Sequence, residues 1–122
     1  MSPLTLSHQR LPGVTVIAVC GEMDATNRGQ FEAYIAKARS SPGERLVFDL
    51  SRVPFMDSSG LHVLLTCTTD RLRHGGAVHL ASAQPLPTRL FEITGVLNHV
   101  PVHDSVEDAI TAARASAPER SF

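Results

Sequence analysis

The sequence has little excess charge. Its 122 residues carry 11 Lys and Arg against 12 Asp and Glu, a net charge of −1 with histidine neutral. So weak a bulk field argues against nucleic acid as a partner, which calls for a basic patch. Lys37 is the only lysine, a bias from which no function follows. Cysteines are few. Cys20 and Cys67 form no CxxC and cannot make a disulfide framework, so both read as reduced, mostly buried thiols. No apolar run approaches the ~18 residues of a membrane span. The start, MSPLTLSHQR, lacks a charged segment followed by a long apolar one. The expectation is a cytoplasmic protein with no membrane partner. Phosphate motifs are missing too: there is no GxxxxGK[ST] loop and no GxGxxG, so no cofactor is expected.

What is present suits one domain built on one core. Leu4 to His8 alternates as a half-buried strand does, Leu11-Pro12-Gly13 signals a turn, and Val14 to Cys20 is a β-branched central strand. The two strands should form an antiparallel hairpin. Thr26 or Asn27 is placed to cap a helix carrying Phe31, Ile35 and Ala38, which Ser40 to Gly43 stop. Leu46 to Leu50 is a third strand, reached through a right-handed crossover and so parallel to the second. A helix from Ser58 to about His74 ends at Gly75-Gly76, and Ala77 to Ala81 is a fourth strand. A helix with Leu90, Phe91 and Ile93 stops at Gly95. A last strand, within Val96 to Val102 and broken by Pro101, belongs at an edge. Asp104 or Ser105 caps a final helix with Val106, Ala109, Ile110 and Ala113. The fold class is α/β: a small mixed sheet packed by about four helices, in one domain over residues 1–115, with residues 116–122 expected as a flexible tail.

The stretch VPFMDSSGLHVLL, Val53 to Leu65, joins the third strand to the central helix. Asp57, Ser58, Ser59 and Gly60 read as a helix start, because Asp and Ser side chains accept from the free N–H groups of a first turn. Leu61, Leu64, Leu65, Thr68 and Leu72 then follow at helical spacing and are expected to share the buried face. A phosphate is favoured where the positive end of such a helix meets solvent. From composition and spacing alone the step is a plain cap, worth about 1 kcal/mol.

FMDSSGL (Phe55 to Leu61) resembles the signature of STAS domains, specifically the stand-alone anti-sigma factor antagonists. GEMD (Gly21 to Asp24) resembles the family's turn after the second strand, and RLFEITGVLNHV (Arg89 to Val100) its late helix, turn and final strand. The resemblance covers about residues 4 to 115 and implies the STAS fold. It implies that Ser58 is phosphorylated by a partner anti-sigma factor, a serine kinase, and reset by a serine phosphatase. The unphosphorylated protein would bind that kinase and free a sigma factor. It would be a substrate and a switch, not an enzyme. Glu22 and Asp24 fall on the implied partner surface, with Asp57, Ser58, Ser59, Gly60 and His62. Ser59 is expected to cap the helix with its hydroxyl turned to the backbone, whereas Asp57 either caps or orients the Ser58 hydroxyl. His62 departs from the family pattern, where a small residue is common.

Other readings compete. His62 follows Ser58 by one helical turn, so a nucleophilic Ser–His pair is conceivable, but no GxSxG elbow and no orienting third group accompany it. His99 and His103 are four apart, a spacing that metal sites use on helices, but Pro101 lies between them. No metal site is expected, and His8, His62, His74, His79, His99 and His103 read as scattered surface residues. A STAS accessory or scaffold module of a stress-signalling or transport complex is the alternative function. The intact DSSG step favours the antagonist.

Overall fold

The computed structural model describes residues 3–115. In chain order the elements are β1 (Thr5–Leu11), β2 (Val14–Cys20), α1 (Arg28–Ala38), β3 (Arg45–Arg52), α2 (Ser58–Arg73), β4 (Ala77–Ala81), α3 (Pro85–Thr94), a 3-10 turn (Val96–Asn98), β5 (Val102–His103) and α4 (Val106–Ala115). The five strands lie in the order β1-β2-β3-β4-β5. β1 pairs antiparallel with β2, and every later pairing is parallel. Successive right-handed crossovers that step one way across a sheet place their helices on one face. Accordingly Phe31 of α1, Leu61 and Leu64 of α2 and Phe91 of α3 share a core with Ile17, Val19, Phe48, Leu50, Val78 and Leu80. After β5 the chain crosses over, and α4 covers the other face, setting Ala109 and Ala113 on Val14, Val47 and Ala81. β3 is therefore covered on both sides. Leu46, Phe48 and Leu50 face the larger core and Val47 the smaller, the two-residue alternation of a strand.

Several expectations are corrected. The last strand is only Val102–His103, at the sheet edge, and Val96–Asn98 is a 3-10 turn. Gly95 turns the chain with a φ of 77° and Pro101 has no N–H for a ladder. β1 extends to Leu11 and starts one residue late. Ile93 is 71% exposed because Phe91 and Leu90 take the inward face of α3. Leu72 is 57% exposed and Leu65 only partly buried. The inward face of α2 is instead Leu61, Val63, Leu64, Cys67, Thr68 and Arg71. The expected tail, residues 116–122, lies outside the described residues.

Arg71 is buried because its charge is met. Its Nη2 donates to Glu44 Oε2 at 2.9 Å and its Nη1 to Asp70 Oδ2 at 2.8 Å. Both cysteines are free. Cys20 is half-buried, and burial pushes the Cys67 thiol up to about 11, so it stays protonated at neutral pH.

His79 is also a correction: it is buried on β4, 5% exposed, not on the surface. Its Nδ1 lies 2.9 Å from Nε2 of His103 on β5. His99, the residue spaced for a shared metal, ends the 3-10 turn. Burial, and then the neighbouring His103, hold His79 below its ordinary value. The unfolded chain therefore takes up this proton near pH ~6.5 while the folded one still resists it. Stability from this group is complete above that pH and falls as pH drops toward the folded value. Urea midpoints should fall between pH 7.5 and 5.5, and His79→Gln should flatten that slope. An equal slope in the variant would place the titration elsewhere.

Candidate functional site

The loops leaving β2 and β3 lie side by side. Beyond Cys20 the chain stays extended along the segment after β3: the Gly21 N–H donates to Arg52 O, the Met23 N–H to Phe55 O and the Asp57 N–H to Met23 O, each at 3.0 Å. Met23 and Met56 form a parallel bridge. The GEMD turn is thus locked to the DSSG step. Met23 is buried at the centre of the junction, with Glu22 exposed and Asp24 half-buried on either side of it. Gly60 sits beneath, where a Cβ would meet Met23 Cβ at 2.9 Å and Met56 Cγ at 3.0 Å. No larger residue fits without displacing the bridge. Gly60, expected on the partner surface, is buried against Met23 and Met56 and is not part of the exposed surface.

The polar step resolves into distinct roles. Asp57 is the N-cap of α2; its Oδ1 accepts from the Ser59 N–H at 2.8 Å and the Gly60 N–H at 3.4 Å. Ser59, expected to cap, is the second residue of the helix, two past the N-cap position Asp57 that does so. Ser58 is the first helical residue and is exposed, and its hydroxyl has no hydrogen-bond partner among the described residues. Asp57→Ala should lower stability by about 1 kcal/mol in urea titrations, with Ser59→Ala near neutral; a larger loss from Ser59→Ala would reverse the assignment.

His62 is exposed one turn on, and among the described residues no hydrogen bond joins it to Ser58. The Ser–His pair conceivable from spacing is not formed. Asp24 Oδ1 accepts from both the hydroxyl and the N–H of Thr26. The hydroxyl, first of all, holds its carboxyl below the ordinary range and therefore ionised. With Glu22 and Asp57 it gives the junction an acidic character.

Residues that pattern reading did not select also stand here. Phe55, 40% exposed, presents an apolar ring three residues before Ser58. Gln84 Nε2 donates to Ser51 O at 2.8 Å, tying the loop before α3 to the same edge. Asn27, selected only as a cap of α1, occupies that N-cap position without making a side-chain cap bond, a correction: a capping-type residue before a helix signals only the cap. Among the described residues no group of three metal-ligating side chains gathers, and no helix is long and apolar enough to cross a membrane.

A sequence profile of the STAS domain matches residues 5–109. BtrV of Bordetella bronchiseptica, a candidate anti-sigma factor antagonist, is 29% identical over 115 residues, which cover 94% of this chain and 99% of that protein. The anti-sigma F factor antagonist of Paenibacillus polymyxa is 28% identical over 109 residues, 88% of this chain and 92% of that one. A solved anti-sigma factor antagonist from Mycobacterium paratuberculosis matches with a TM-score of 0.78 at 29% identity, over 91% of this chain and 94% of its own.

Proposed function

This chain belongs to the STAS domain family, and on that premise we propose that it is an anti-sigma factor antagonist, a binding module switched by phosphorylation of Ser58. One observation carries the reading: Ser58 is exposed at the start of α2, its hydroxyl uncommitted, beside the acidic Glu22–Asp24 turn. Unphosphorylated, this surface docks on an anti-sigma factor in the cytoplasm and frees a sigma factor. The anti-sigma factor, a serine kinase, then transfers the γ-phosphoryl group of ATP to Ser58. The new bond joins Ser58 Oγ to phosphorus, the bond to the bridging oxygen breaks, and ADP departs. Asp57 Oδ1 is engaged by two backbone N–H groups as the cap of α2, and in this reading the serine proton passes to a base on the kinase. A serine phosphatase later hydrolyses the phosphate. The role of this chain is to be bound and modified, with no catalysis of its own.

A phosphate at Ser58 leaves the fold intact, since the positive end of α2 tolerates negative charge. The test is incubation with candidate anti-sigma factor kinases and ATP, followed by mass spectrometry. The expected result is a single phosphate, on Ser58, absent from Ser58→Ala. A phosphate on Ser59, or no kinase that both binds and phosphorylates the protein, would overturn the reading.

A further inference from the structure

Asn27 is the N-cap residue of α1, yet its side chain makes no cap hydrogen bond. It is 5% exposed, and its amide is used elsewhere. Nδ2 donates to the carbonyl of Glu22 at 2.7 Å, and Oδ1 accepts from the N–H of Asp24 at 3.1 Å. One planar amide thus grips the backbone on both sides of Met23. Met23 in turn donates to Phe55 O and accepts from the Asp57 N–H. Asp57 carries the cap of α2, and Ser58 follows it. An unbroken hydrogen-bonded path runs from the Asn27 amide to the residue before Ser58.

From this path we propose that Asn27 is a positioning residue for Ser58: by clamping the backbone around Met23 it sets the place at which the Ser58 turn enters α2. The consequence for partner binding rests on the antagonist reading above; the clamp itself does not. An N-cap aspartate, serine or threonine satisfies α1 equally well, but none has both a donor and an acceptor placed as the carboxamide has. A side chain chosen for the cap alone would leave the Glu22 carbonyl without this donor. The turn would then keep its bonds to Phe55 and Asp57 and the Asp24–Thr26 contact, but lose the side chain that joins its two flanks.

The test starts with backbone amide hydrogen exchange on the purified protein. Asn27→Ala should speed exchange at Asp24, Met23 and Asp57 by about three- to tenfold, the worth of one net hydrogen bond. Phe48 and Leu80 amides should keep wild-type protection. Asn27→Ser serves if the alanine variant unfolds. Its hydroxyl can accept from the Asp24 N–H but is too short to reach Glu22 O, so Asp24 should regain protection while Met23 and Asp57 do not. Unchanged exchange at Asp57 would overturn the clamp, as would equal loss of protection throughout the sheet, which marks general destabilisation. The second readout is phosphorylation by the kinase that modifies Ser58. A KM raised about tenfold with kcat nearly unchanged is expected, because misplacement of the turn weakens docking before chemistry. A kinase that modifies the wild type and Asn27→Ala with equal KM would overturn the positioning role while leaving the antagonist reading intact. Failure of any kinase to modify the wild type would strike that reading and leave the clamp to the exchange result.

Discussion

Arg71→Ala is expected to lose about 3–5 kcal/mol, the cost of stripping one partner from a buried ion pair. The side chains of Arg71 and Glu44 are 4% and 5% exposed. Glu44 Oε1 accepts from the N–H and hydroxyl of Ser40, and Oε2 from Arg71. Without the guanidinium the carboxylate stays buried, held by neutral donors alone. Glu44→Gln in the Arg71→Ala background removes that stranded charge and should recover part of the loss. Urea unfolding of the two variants measures it. A loss below about 1 kcal/mol in Arg71→Ala, the level of an exposed pair, would mean that water reaches Glu44 once the arginine is gone. The Asp70–Arg39 contact, with both side chains about one-third exposed at 3.2 Å, is the comparison: it should contribute little.

Phosphorylation of Ser58 should weaken binding to the anti-sigma partner by about a hundredfold or more, since a strongly hydrated dianion must then be desolvated where a small neutral hydroxyl docked. The phosphate adds about −1.5 to −2 charges to a junction already holding Glu22, Asp24 and Asp57. It also adds bulk where small residues, Ser58 and Ser59, meet solvent. Ser58→Asp, with one charge, should reproduce part of the loss. Ser58→Ala should bind and refuse to switch off. Affinities of the four forms, with a circular dichroism spectrum of each, check this. Equal affinity before and after phosphorylation sinks the switch, and a collapsed spectrum sinks the view that the fold bears the charge.

Much of this was legible in the chain. Val14–Cys20 and Ala77–Ala81 are strands with the bounds their β-branched and apolar runs indicate, and the DSSG step is a helix start. The nearness of GEMD to DSSG follows from the family resemblance. The means of it, Met23 hydrogen-bonded to both Phe55 and Asp57, does not. Short-range pattern carries no information about a backbone contact 32 to 34 residues distant. That Asp57 caps, one of its two expected roles, and Ser59 does not has a similar cause: all three polar residues can cap, and only the true first helical residue decides which one does.

The sequence by itself determined the order of elements, the sheet's change from antiparallel to parallel, and a polar helix start at the DSSG step. These depend on alternation, helical spacing and turn residues within a few positions of each other. Only the tertiary structure decided which side of each helix is inside. On α2 Arg71 displaced Leu72 because Glu44, 27 positions earlier, supplies a buried counter-charge. In the same way His79 is buried against His103, and Asn27 turns from its own helix to Glu22 and Asp24. A polar group is read as exposed or capping until a partner is known. Where that partner comes from a distant segment, folding alone supplies it.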